Sequence, residues 1–127
     1  MSDPGATRGI PQDLLLVEDN MIIALDTAAL LKELNVGQVR SETDVSGALA
    51  AIDARVPDFA LLDFNLGEET SKPIARKLNQ LKVRFYFATG YDEQDNELQS
   101  LGSEGVLSKP YSKADLARVV GADFPRS

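Results

Sequence analysis

Short, unbroken apolar runs alternate along this chain with longer stretches of helical period, and that alternation restricts the fold more than any other feature. "LLLV" (Leu14 to Val17) and "FALL" (Phe59 to Leu62) are too short for helices yet apolar throughout, which suits strands buried on both faces. "VGQVR" is a weaker run of the same kind, "VRFYFA" a fourth and "GVLS" a fifth. After the first run, "NMIIALDTAALLKELNVG" offers Asn20 as an N-cap, a stripe of Ile23, Thr27, Leu30 and Leu34, and Gly37 past the end. Asp44 caps a second helix with Val45, Ala48, Leu49 and Ile52 on one face, closed by Pro57. Beyond the loop "DFNLGEETS", Ser71 caps a third helix with Pro73 in its first turn and Ile74, Leu78 and Leu81 pointing inward. The last helix opens at Ser112 and Asp115, which have capping-box spacing, and buries Leu116, Val119 and Val120. Between the fourth and fifth runs, "YDEQDNELQSLG" carries only Leu98 and Leu101 as apolar anchors, so a short or loosely packed helix is expected there, with 92–102 the least protected part of the fold.

Parallel strands need crossovers, and the crossovers are right-handed, so this pattern predicts an α/β fold: a doubly wound five-stranded parallel sheet with helices on both faces. Residues 1–12, rich in Gly, Pro and small polar side chains, read as a flexible tail; 13–121 form one domain, and 122–127 a short C-terminal tail. Only "GADFPRS" follows Val120, too little for an output domain, so a signal is expected to leave by protein contact or onward phosphotransfer. A net charge of -7 argues against a nucleic-acid surface, no apolar run is long enough to span a bilayer, and no signal core is present, so a cytoplasmic monomer is expected. The absence of both His and Cys excludes Ser-His-Asp and Cys-His catalysis, makes zinc improbable and rules the chain out as a phosphohistidine donor. The chemistry left to it uses carboxylates, hydroxyls, lysine and backbone.

In doubly wound folds, ligands sit at the carboxyl ends of the strands. Glu18 and Asp19 end the first strand, Asp63 the third and Thr89 the fourth, while Lys109, followed by Pro110, ends the fifth. Singly, each reads as a cap, a turn residue or a solvated charge. Together, three carboxylates without a cation would repel one another, and with no His or Cys the natural partner is a hard divalent ion, Mg2+, to which the carbonyl of Asn65 adds an oxygen. Mg2+, the Lys109 ammonium and the Thr89 hydroxyl around a carboxylate are suited to stabilising a phosphoryl group in transfer, with Asp63 as nucleophile.

"VEDN", "LLDFNL", "FATGY" and "LSKPY" resemble the receiver domain of two-component response regulators, of which CheY is the familiar single-domain example, over residues 13–121. The resemblance implies a flavodoxin-like, CheY-like sheet of strand order 2-1-3-4-5 and phosphorylation of Asp63 by a histidine kinase or histidine phosphotransfer protein. It further implies Mg2+ held by Glu18, Asp19, Asp63 and the Asn65 carbonyl, phosphoryl oxygens engaged by Thr89 and Lys109, and a cis Lys109–Pro110 bond. The domain is then a phosphoacceptor and not an enzyme. "FATGY" is also similar to the motif of the FATGUY subgroup of single-domain receivers. In keeping with this, Val106 stands where ordinary receivers carry a switch Tyr or Phe, which puts the usual Thr–aromatic coupling in question.

Ile22, Leu25 and Ala29 fall on the side of the first helix away from its inward stripe; in receivers this helix meets the helical phosphodonor, which makes Ile22 and Leu25 docking candidates. Three other readings stay open. An aspartyl-phosphate hydrolase would want a second carboxylate where Asn65 stands. A flavodoxin-like cofactor binder would want a phosphate-cradling loop where "EDNM" is acidic. A receiver-like interaction module acting without phosphorylation would not need the full set of acids, Thr and Lys.

Overall fold

The computed structural model describes residues 9–90 and 101–121. Their elements are β1 (Asp13–Val17), α1 (Met21–Glu33), β2 (Gln38–Glu42), α2 (Val45–Ala54), β3 (Phe59–Asp63), β4 (Asn65–Leu66), β5 (Glu69–Thr70), α3 (Lys72–Gln80), β6 (Arg84–Thr89), β7 (Val106–Ser108) and α4 (Lys113–Val120). The expected helix between the fourth and fifth strands lies outside the described residues up to position 100, as do 1–8 and 122–127 of the two expected tails.

The main sheet is parallel throughout, in the order β2-β1-β3-β6-β7. Since β6 and β7 are its fourth and fifth strands in chain order, this is the expected 2-1-3-4-5 arrangement. The unbroken apolar character of β1 and β3 follows from burial on both faces. Leu15, Val17, Leu62 and Phe87 pack with Ile52, Ile74 and Leu78 of α2 and α3, whereas Leu14, Leu16 and Leu61 pack with Leu31 of α1 and Leu116 and Val120 of α4. No helix among the described residues is long and apolar enough to cross a membrane.

The helix starts follow the local chemistry of the sequence. Asn20 Oδ1 accepts from the N–H groups of Ile22 and Ile23 at 3.0 and 3.1 Å, Asp44 Oδ1 accepts from the Gly47 N–H at 2.7 Å, and Ser112 and Asp115 form the reciprocal capping box. Ser71 does occupy the N-cap position of α3, but its side chain makes no capping bond, and its buried Oγ has no partner among the described residues. The inward face of α1 is also rotated from the expected stripe: Ala24, Thr27 and Leu31 are fully buried, and Ile23, Leu30 and Leu34 only partly so. The chain leaves α1 through Asn35, in the left-handed region at φ 74°, two residues before Gly37, because a short polar side chain tolerates that conformation. Leu81, expected to face inward, is exposed. The helix has ended, Lys82 turns the chain at φ 62°, and Val83 takes up the core position.

Two further differences bear on the site. The expected loop after β3 contains an antiparallel hairpin, β4–β5, turning at Gly67 with φ 77° and sending Leu66 into the core. At the opposite end of the sheet, residues 10–12 of the expected tail are tied down. The Gly37 N–H donates to the Pro11 carbonyl at 3.0 Å, the Gln12 N–H donates to Asp58 Oδ2 at 2.9 Å, and Ile10 packs on the α1–α4 core.

Candidate functional site

Parallel pairing brings the strand ends to one edge. Val17 is in register with Leu62, so Glu18 leaves β1 beside Asp63, and Thr89 is in register with Ser108, so Lys109 leaves β7 beside Thr89. The Lys109 N–H donates to the Thr89 carbonyl at 2.8 Å, which locks the last rung of that pair, and the Lys109–Pro110 bond is cis.

Carboxylate oxygens of Glu18, Asp19 and Asp63 lie within 4.8 Å of one another. Glu18 and Asp63 are buried, Asp63 to 6% exposure, while Asp19 faces solvent. Lys109 Nζ lies 3.0 Å from Glu18 Oε1 and 3.1 Å from Asp63 Oδ2. The other oxygen of Glu18 accepts the Asn20 N–H at 3.0 Å, so the residue that caps α1 also steadies an acid of the site. Asn65 opens β4 two residues past Asp63, and the β4–β5 turn lies against Asp19, since a Cβ placed on Gly67 would stand 3.9 Å from Asp19 Oδ2.

One ammonium between two of three acids leaves the cluster short of positive charge. Burial, together with the neighbouring Glu18 charge, pushes the Asp63 carboxyl from its ordinary 3.8 up to about 7, and Lys109 only partly opposes this. Burial alone would lower Lys109, but its hydrogen bonds to Glu18 and Asp63, and their charges, outweigh that and raise it, so it remains a cation. Three hard oxygen donors this close, with their charge uncompensated, match a small divalent cation better than any soft metal.

The structure thus brings together Glu18, Asp19, Asp63, Thr89 and Lys109, with Asn65 on the adjoining hairpin. Ile22 and Leu25 stand outward from the first turns of α1, 73% and 67% exposed, beside an equally outward Met21. Val106 lies on β7 and is 45% exposed, contributing no ring to the site. Reading the sequence missed two features. Lys109 is already engaged by Glu18 as well as Asp63, and the Tyr111 hydroxyl is 2.9 Å from Thr27 Oγ1 of α1. Tyr111 is conspicuous in "LSKPY", but nothing in the linear pattern pairs it with a threonine 84 residues away.

A five-stranded parallel sheet with acids, a threonine and a lysine at its carboxyl edge defines a receiver. The response regulator receiver domain family matches residues 14–121, and the chain belongs to it. It is 34% identical to SdrG from Sphingomonas melonis Fr1, whose solution structure it matches with a TM-score of 0.74 over 87% of this chain and 94% of that one. The sensory transduction protein LytT of Bacillus subtilis is 27% identical over 79% of this chain and 43% of its own length. The chain spans about half the length of the curated relatives it matches. The receiver domain of the sensor histidine kinase PA1611 from Pseudomonas aeruginosa PAO1 has the same fold at 24% identity, with a TM-score of 0.76 over 86% of this chain and 93% of that one; its crystal structure holds a magnesium ion in the active site cleft.

Proposed function

We propose that the domain receives a phosphoryl group on Asp63 from a histidine kinase or a histidine phosphotransfer protein. An oxygen of Asp63 attacks phosphorus as the N–P bond of the donor phosphohistidine breaks, and the bonding pair returns to the imidazole nitrogen. Lys109 Nζ, already 3.1 Å from Asp63 Oδ2, follows the incoming phosphoryl oxygens, and the Thr89 hydroxyl donates to another. Glu18, Asp19, Asp63 and the Asn65 carbonyl would hold Mg2+, directly or through water. When bound, the ion supplies charge neutralisation that keeps Asp63 ionised and offsets the charge of the transferring group. The magnesium in the PA1611 receiver supports this reading by analogy of fold.

The single observation that carries the proposal is the buried Asp63 carboxylate beside two other acids and one bridging lysine at the switch edge of the sheet. Ile22 and Leu25 are proposed as the apolar centre of the docking surface for the phosphodonor helix. "FATGY" and the non-aromatic Val106 support placement in the FATGUY subgroup. The same reading takes the domain to act in the cytoplasm as a single-domain phosphoacceptor rather than an enzyme. The test is incubation with acetyl phosphate and Mg2+ followed by intact mass. The expected result is a gain of one phosphoryl group that EDTA prevents and Asp63→Asn abolishes; labelling of that variant, or none of the wild type, would refute the assignment. A wild type that is never labelled would favour the interaction module that works without phosphorylation.

A further inference from the structure

Thr27 is the one polar residue on the buried face of α1, between Ala24 and Leu31. A hydroxyl in that position is unfavourable unless it is bonded, and its partner is the Tyr111 hydroxyl at 2.9 Å. Tyr111 stands two residues after Lys109. The Lys109 N–H is held by Thr89 and the Ser112 N–H by Asp115, but Pro110 between them has no N–H to give. The ring of Tyr111 also borders a cavity of about 490 Å³ shared with Ile23, Leu30, Pro110 and Lys109. Tyr111 also packs in part against the α1–α4 core, and the hydroxyl bond to Thr27 is the polar contact that orients it toward α1. Burial raises the Tyr111 pKa, so the hydroxyl stays neutral at ordinary pH.

The N-terminus of α1, about two turns before Thr27, is tied to the acids. Asn20 caps the helix while its own N–H donates to Glu18. One rigid helix therefore contacts both the acid-bearing loop and the lysine-bearing loop. We propose that Tyr111, held by Thr27, is a positioning residue that sets the reach of Lys109 Nζ toward the phosphoryl group on Asp63. The inference rests on the phosphoacceptor reading of Asp63.

The test is a double-mutant cycle on initial rates of phosphorylation by acetyl phosphate at saturating Mg2+, followed by intact mass. Tyr111→Phe keeps the ring and Thr27→Val keeps the shape of the helix face, so each removes the hydrogen bond with little other change. Each is expected to slow phosphorylation about 3- to 10-fold while leaving the Mg2+ midpoint within about twofold of wild type. In a Lys109→Ala background, adding Tyr111→Phe is expected to change the rate by less than about twofold, because the group it positions is gone. Equal slowing with and without Lys109, no slowing by either single variant, or a parallel loss of Mg2+ affinity would overturn the inference. In those cases a phosphorylated wild type leaves the Asp63 assignment standing; a wild type that takes up no phosphoryl group overturns both.

Discussion

Replacing Asp63 by Asn is expected to stabilise the metal-free protein, and to do so more at high pH than at low. In the unfolded chain the carboxyl titrates near 3.8; in the fold, burial and Glu18 raise it to about 7. Between these values the folded protein holds a proton that the unfolded chain has lost. Wild-type stability from this group is therefore fully present below 3.8, falls as pH rises, and levels off above about 7. The full difference corresponds to roughly 4 kcal/mol. The value of about 7 already includes the attraction of Lys109, and relaxation around the charged group reduces the cost, so a gain of about 2–4 kcal/mol is expected near pH 8. The advantage of Asp63→Asn over wild type should grow by about 2–3 kcal/mol from near pH 5 to near pH 8, since each pH unit below 7 contributes about 1.4 kcal/mol. Urea unfolding in EDTA, followed by far-UV circular dichroism, measures it; comparing the two proteins at each pH cancels every other titrating group. Mg2+ should narrow the gap near pH 8 by binding the folded wild type. A variant less stable than wild type near pH 8, or an advantage independent of pH, would refute the picture of an uncompensated buried carboxylate.

Asp19→Asn should weaken Mg2+ binding by removing one charge from the three-acid cluster, measured by calorimetric titration; unchanged affinity would count against the metal site. Leu25→Asp should slow phosphotransfer from the cognate histidine protein while leaving labelling by acetyl phosphate unchanged, because Leu25 is exposed and remote from the core; equal slowing of both reactions would rule out docking. At the other end of the sheet, burial would raise the Asp13 carboxyl, but hydrogen bonds from Arg55 and Arg40 outweigh this and hold it below its ordinary value. Asp13→Asn should cost about 1 kcal/mol near neutral pH, a modest figure because Arg55 is exposed, and the deficit should vanish as pH falls below 3.8, measured by urea unfolding. Leu78→Ala, at a fully buried site under β6, should cost about 2–5 kcal/mol in the same assay.

The sheet was legible because strands covered on both faces are apolar over the covered stretch, as β1 is from Leu14 to Val17 and β3 from Phe59 to Leu62. Once the order of elements was clear, the rule that sites form at strand carboxyl ends picked out Glu18, Asp19, Asp63, Thr89 and Lys109 without any long-range information. What the sequence hid depends on distance or on very short elements. Two-residue strands such as β4 and β5 carry no period to read. Leu81 continues the helical spacing of α3 one residue past the helix end at Gln80, so periodicity alone placed it inward. Burial of Asp63, capture of Lys109 by Glu18, and the Thr27–Tyr111 bond are products of packing between elements. The Ser71 hydroxyl, without a partner among the described residues, contradicts a sound capping pattern, and nothing in the structure explains it.

The central claim is that one residue, Asp63, carries the phosphoryl group. An acyl phosphate is reduced by borohydride to the alcohol, so an aspartyl phosphate becomes homoserine while free carboxylates survive. After incubation with acetyl phosphate and Mg2+, reduction and proteolytic peptide mapping should find homoserine at position 63 and at no other acid, with the conversion lost in EDTA. Homoserine at position 19, at position 18 or at an exposed acid elsewhere, or conversion that does not depend on Mg2+, would contradict the account.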